Sequence, residues 1–156
     1  MKFIKSISTS IFTLLLCTAC ESDLEQVTYS SENAIPSTLS SLNDSYILES
    51  KNASQEAFTL TWSYPDLGYQ ASVINALEMD VKDKNFANKV ILASSKTDLS
   101  HTITVSDLNS KIMTLLKVYE IETAPIGIEF RISSSISAAA DTLYSNIVST
   151  TITPYE

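Results

Sequence analysis

Phe58-Thr59-Leu60-Thr61-Trp62 is the stretch of this chain that decides its fold. Its apolar side chains alternate strictly with threonines, and a period of two places the apolar set on one face of an extended strand. Threonine and aromatic residues are also favoured in strands. We therefore predict a half-buried β-strand here, with the tryptophan turned toward the core.

Short alternating segments of the same kind continue along the chain from about residue 46. Further strands are predicted at 73–81, 90–93, 102–105, 126–132 and 147–153. Ser106-Asp107-Leu108-Asn109 is typical of a helix start, because apolar residues follow it at helical spacing. Roughly seven strands in about 110 residues, with one short helix between two of them, predict an all-β sandwich of the immunoglobulin-like or fibronectin-III-like class.

The N-terminal segment has the pattern of an export signal that ends in a lipid anchor. Two lysines precede an apolar stretch at 7–16, which has the length of a secretory signal and is too short for a helix that spans a bilayer. Thr18 and Ala19 then precede Cys20, an arrangement that resembles the lipobox of bacterial lipoproteins. Residues 1–19 are expected to be a signal peptide, with Cys20 lipidated. An ordinary cleaved signal peptide is the alternative.

Composition limits the classes of partner and cofactor. The two cysteines, Cys17 and Cys20, both belong to the export segment, so the folded part offers no disulfide or cysteine-metal site. Loss of residues 1–19 removes two of ten basic residues and changes the formal net charge from −8 to −10. Such an acidic chain repels nucleic acid, so no nucleic-acid partner is expected, and no cofactor loop is found. Residues 20–44 are polar and predict a flexible tether before a domain at 45–156.

Residues 60–69 resemble the tryptophan strand and following proline-aspartate turn of the SusE-like outer-membrane lipoproteins. Similar stretches follow in the family's order at 77–86, 105–109, 130–132, 144–146 and 152–155. Together they cover nearly all of the predicted domain. The acidic residues after Cys20 resemble the signal that sends lipoproteins of Bacteroidota to the cell surface.

This resemblance implies an accessory protein of a starch or glycan uptake system. It implies a lipid anchor in the outer membrane that faces the cell surface. The implied partners are an outer-membrane glycan importer, its capture lipoprotein and polysaccharide. In that family further C-terminal domains generally contact the glycan, while the N-terminal immunoglobulin-like domain is a spacer. We therefore expect the domain at 45–156 to bind glycans weakly or not at all.

Aromatic residues are the first candidates for contact with sugar rings. Trp62 is the only tryptophan, but its alternation with Phe58 and Leu60 favours a core position over a sugar platform. Tyr64 and Tyr69 flank a Pro-Asp-Leu-Gly turn, and loops at the end of a sandwich often carry binding function. These two tyrosines are the candidate glycan contacts, although packing of their rings over the turn is the favoured alternative.

The ionisable side chains indicate a functional site less strongly than the aromatic residues do. His101 is the only histidine and is expected to be a solvated residue at a strand edge. Glu78 and Asp80 share one strand face and could be imagined as an acid-base pair, but a solvated face is the favoured interpretation. Asp80, Asp83 and Asn85 do not fit a calcium loop, because lysines interleave with them and the glycine is missing.

The leading hypothesis is a non-enzymatic, surface-exposed outer-membrane lipoprotein that supports glycan capture. A structural or adhesive β-sandwich lipoprotein without a glycan role is the alternative. An enzyme is the least favoured class, because the sequence shows no nucleophile-base pair and no convincing carboxylate pair. Asp141-Thr142-Leu143 resembles the short O-glycosylation sequon of exported Bacteroidota proteins and makes Thr142 a candidate modification site.

Overall fold

The computed structural model describes residues 33–137 and 140–156 of the chain. The predicted signal peptide, Cys20 and the residues up to 32 lie outside the described residues. The described residues form eight strands and one α-helix. The strands are β1 (Ser45–Ile47), β2 (Glu56–Thr61), β3 (Ile74–Val81), β4 (Val90–Ser95), β5 (Ser100–Thr104), β6 (Ile126–Ser135), β7 (Leu143–Tyr144) and β8 (Val148–Thr153). The helix is α1 (Val105–Val118), and one turn of 3-10 helix covers Ser50–Asn52.

The strands form two sheets of unequal width. In the larger sheet the order is β1-β8-β6-β3-β4, and β7 pairs with β6. β1 lies parallel to β8, whereas the other pairs are antiparallel. β2 and β5 form a second, antiparallel sheet. The predicted all-β sandwich is confirmed.

The core lies between the two sheets, and strand alternation builds it from both sides. On β6 the side chains of Ile128, Phe130 and Ile132 are each 0% exposed, and the residues between them are half-buried. On β2 the alternation places Phe58 and Leu60 inward. The rings of Phe58 and Phe130 meet edge to face, 5.8 Å between centroids, so they join the two layers directly.

Helix α1 completes the layer that β2 and β5 begin. Thr104 caps its start, since the Thr104 side chain accepts a hydrogen bond from the backbone N–H of Asp107 at 3.3 Å. Leu108 and Ile112 lie on its buried face and are 0% exposed. The helix has 14 residues, and the one short helix that the sequence predicts is confirmed. None of the helices described is long and apolar enough to cross a membrane.

Part of the predicted tether is packed against the domain. Ile35 forms a bridge with Asp66, and Leu39 forms another with Trp62. Leu39 is 2% exposed, and its backbone makes two hydrogen bonds with the side chain of Asn146, at 2.8 and 3.0 Å. A flexible tether as far as residue 44 is therefore wrong for residues 35–40, whose isolated apolar side chains carry no periodic signal in the sequence.

Candidate functional site

The loop that joins β2 to β3 surrounds an open depression of about 530 Å³. Tyr64 and Tyr69 both line it, so the structure brings the two predicted glycan contacts together. The Tyr64 hydroxyl accepts a hydrogen bond from the Val73 backbone N–H at 3.2 Å and donates one to the Ala71 carbonyl at 3.5 Å. Tyr64 therefore ties the loop together while remaining 43% exposed. Whether either tyrosine contacts a glycan stays a prediction.

The turn at the rim of this depression is held by Asp66 and Gly68. The Asp66 carboxylate accepts a hydrogen bond from the Gly68 backbone N–H at 2.8 Å, and Gly68 has a φ of +73°, which glycine adopts without strain. The backbone of Asp66 pairs in both directions with Ile35. The rim of the depression is thus rigidly attached to the rest of the domain.

Trp62 lies in the core, as its alternation predicts. It is 6% exposed and belongs to the same buried cluster as Phe58 and Phe130. Its indole N–H, atom Nε1, is buried and has no hydrogen-bond partner among the described residues. A ring in this position cannot serve as a platform for a sugar.

Glu78 is held by two cations on the outer face of the larger sheet. Its carboxylate accepts hydrogen bonds from Lys89 Nζ at 2.5 Å and from Arg131 Nε at 2.8 Å. Burial alone raises the pKa of Glu78, but the hydrogen bonds from Lys89, Arg131 and Ser133 outweigh it and hold the pKa below the ordinary value. The expected solvated face is wrong here, because Glu78 is 1% exposed.

Asp80 is also buried rather than solvated, at 0% exposure. Its carboxylate accepts hydrogen bonds from the Asn88 backbone N–H at 3.1 Å and from the Tyr119 hydroxyl at 2.9 Å. Burial raises the pKa of Tyr119, and the neighbouring Asp80 carboxylate raises it further. Glu78 and Asp80 thus anchor the β3–β4 loop (residues 82–89) to the sheet, and neither is an unbound acid or base.

Arg131, the only arginine of the chain, lies between two aromatic rings. Its guanidinium carbon is 4.0 Å from the centroid of Phe86 on one side and 3.9 Å from that of Tyr144 on the other. Sequence reasoning missed this group. The signal that could have found it is the pairing of β3 with β6, which places Arg131 directly opposite Glu78.

The remaining candidates stand apart from these groups. His101 lies on β5 opposite Leu60 and is half-buried rather than solvated, with its Nε2 buried and unpartnered within the described part of the chain. Thr142 is exposed just before β7, and its O-glycosylation stays a prediction. Within residues 33–137 and 140–156, no three His, Cys, Asp or Glu side chains lie close enough to hold a metal ion.

Comparison with known protein families gives a match. The model of a family described as SusE outer membrane protein matches residues 22–133, which is more than half of the chain. No curated protein and no solved structure gives a significant match. The resemblance inferred from the order of the sequence motifs is confirmed.

Proposed function

Because the chain belongs to the SusE outer membrane protein family, we propose that it is a non-catalytic accessory component of a glycan-uptake system at the cell surface. Membership associates it with the outer membrane and with Sus systems. The family match over residues 22–133 is the observation that carries the proposal.

The proposed mode of attachment is a lipid anchor on Cys20. Thr18 and Ala19 supply the small residues before the cysteine, and the apolar stretch ends at this point. Two or more acyl chains hold a soluble domain firmly on a bilayer, whereas one chain binds only reversibly. The acidic residues that follow Cys20 support a location on the outer surface.

The contacts of the carboxylates support a non-catalytic role. Glycoside hydrolysis needs one carboxyl group that can give up a proton and another that can attack or activate water. Glu78 is engaged by Lys89 and Arg131, and Asp80 by Asn88 and Tyr119. Each carboxylate is thus committed to holding the loop in place.

The proposed contribution to starch capture is indirect. Trp62 is buried, and the hydroxyl of Tyr64 is engaged by the backbone of its own loop. Tyr64 and Tyr69 remain as a small surface, and a small surface must offset the rotational and translational freedom lost on association. We expect an affinity for starch oligosaccharides of about 1 mM or weaker.

Calorimetry of the full chain in a non-ionic detergent, titrated with maltoheptaose, measures this affinity. Tyr64→Ala and Tyr69→Ala serve as controls. Micromolar binding that either substitution abolishes would make this domain a starch-binding module and contradict the indirect role.

Association with an importer is the direct test of the proposed function. The full chain with a C-terminal tag is purified from solubilised outer membranes, with untagged cells as the control, and the proteins that accompany it are identified. We expect an outer-membrane importer and its capture lipoprotein. Recovery with pilin or adhesin subunits instead would support the structural or adhesive alternative.

A further inference from the structure

Basic residues are concentrated at one place on an acidic chain. Eight lysines and arginines follow Cys20, and four of them are Lys82, Lys84, Lys89 and Arg131. The three lysines belong to the β3–β4 loop, and Arg131 lies beneath it on β6. Asp83 is the only carboxylate of that loop. The carboxylates of Glu78 and Asp80 lie beneath this loop, so what distinguishes this end of the outer sheet face is the geometry of Arg131 and not a positive net charge.

Arg131 is held there in a fixed orientation. The rings of Phe86 and Tyr144 cover the two faces of its guanidinium, and its Nε donates to Glu78 at 2.8 Å. Neither Nη atom makes a hydrogen bond to another described residue, and 17% of the side chain remains exposed. A planar fork of N–H donors is thus positioned in advance, so the protein loses little conformational freedom when a ligand binds.

The turn that carries Phe86 is strained. Phe86 has a φ of +56°, and Asp83 and Asn85 have φ values of +63° and +53°. A bulky L-residue seldom adopts this conformation, and such strain tends to persist at sites that bind ligands. Here the strained backbone holds the Phe86 ring over the guanidinium of Arg131.

We propose that Arg131, Lys89 and Tyr144 form a binding site for sugars that carry an oxyanion, a carboxylate or a sulfate ester. The guanidinium fork matches the two oxygens of such a group, and Lys89 offers a second cation with 37% of its side chain exposed. Tyr144 is 44% exposed beside the fork and offers an apolar surface for a sugar ring. The choice of a sugar as ligand rests on the proposed function, whereas the anion selectivity rests on the site alone.

Calorimetry with four probes tests this site on the full chain in a non-ionic detergent. The probes are tetragalacturonate, its methyl ester, a sulfated galactose tetrasaccharide and maltotetraose. We expect tetragalacturonate, the sulfated probe or both to bind about tenfold or more tightly than the two neutral probes, because only an oxyanion can use the fork. Comparison of the two charged probes decides between carboxylate and sulfate.

Three variants locate the binding. Arg131→Lys keeps a cation for Glu78 but loses the fork, and Tyr144→Ala removes both the exposed ring surface and one of the two rings that hold the guanidinium, so each is expected to weaken binding about tenfold. Lys51→Ala removes one distant positive charge and should leave binding unchanged. Thermal melting of each variant shows that it is folded before it is titrated.

Two outcomes overturn the proposal. One is that neither tetragalacturonate nor the sulfated probe binds more tightly than the two neutral probes. The other is anion binding that survives in both folded variants, Arg131→Lys and Tyr144→Ala. If either occurs while the importer still co-purifies, the anionic site is refuted and the proposed function stands. Loss of co-purification refutes the proposed function independently of these titrations.

Discussion

Glu78 shows how this sheet tolerates a carboxylate at 1% exposure. Removing the carboxylate from water raises the pKa, but three hydrogen bonds to its charged form lower it further than burial raises it. A pKa lowered in the folded state stabilises the fold at pH values above the unfolded pKa. This stabilisation is lost as the pH falls through the folded value, which lies below 4.5.

Glu78→Gln is therefore expected to destabilise the domain in a pH-dependent way. At about pH 7 the loss should be about 1.5 to 3 kcal/mol, because two charge-assisted hydrogen bonds are weakened. At about pH 3, which is closer to the lowered pKa of the Glu78 carboxyl, the difference should shrink. Urea melts at the two pH values measure it, with Glu49→Gln as control, since the Glu49–Lys51 pair is exposed. A difference between Glu78→Gln and wild type that is the same at both pH values would contradict this role.

Trp62 is expected to act through its volume and not through its N–H. Trp62→Ala should lower the free energy of unfolding by about 3 to 5 kcal/mol, as large-to-small core changes do. Trp62→Phe should cost clearly less, because Nε1 has no partner among the described residues. Urea melts of both variants give the comparison. An unchanged midpoint for Trp62→Ala would place the ring outside the core.

Alternation predicted the orientation of Trp62 because it records which side of a strand a residue faces. The same rule placed Glu78 and Asp80 correctly on the face opposite Leu77 and Met79. It could not predict that this second face is also covered. The cover comes from Lys89 and Arg131, which lie 11 and 53 residues away from Glu78 along the chain.

At the scale of elements, two asparagine side chains attach segments that lie outside the eight strands. Asn109 on α1 donates to the Tyr155 carbonyl and accepts from the Tyr155 N–H, both at 2.9 Å. Asn146 makes the same pair of bonds with the backbone of Leu39. Each side-chain amide thus makes the two backbone hydrogen bonds that a paired strand would make, and it attaches a segment near one end of the described residues to the domain.

Asn109→Ala is expected to release the segment after β8. It leaves the Tyr155 N–H and C=O without their partner, at a cost of about 1 to 3 kcal/mol. Hydrogen exchange at the Tyr155 amide should accelerate, whereas exchange in β6 should change only as far as global stability falls. Ser110→Ala, on the exposed face of the same helix, is the matched control. Unchanged protection of the Tyr155 amide in Asn109→Ala would refute this function of the side chain.

The sequence predicted the elements better than their attachments. The strands, a helix start predicted at Ser106 and observed one residue earlier at Val105, and the sandwich class follow from local periodicity and capping residues. Attachments such as Leu39 to Asn146 join residues 107 positions apart, and nothing local encodes them. The packing of residues 35–40 was missed for this reason.

At the scale of the whole molecule, family and chemistry point to the same location. The SusE family associates the chain with the outer membrane, and the sequence around Cys20 supports the means of attachment. An acidic domain gains no attraction from anionic lipid, so an acyl anchor is the attachment that remains in the proposal. The central claim is therefore that lipid on Cys20 holds this protein in the outer membrane.

Cell fractionation of Cys20→Ala tests that claim most directly, with Cys17→Ala as the matched control. Wild type and Cys17→Ala are expected in the washed outer-membrane fraction, because Leu16 is too bulky for the small-residue position before a cut at Cys17. Cys20→Ala should leave that fraction, since it has no thiol to acylate at the proposed site. Retention of Cys20→Ala in the washed outer membrane as firmly as wild type would contradict the lipid anchor.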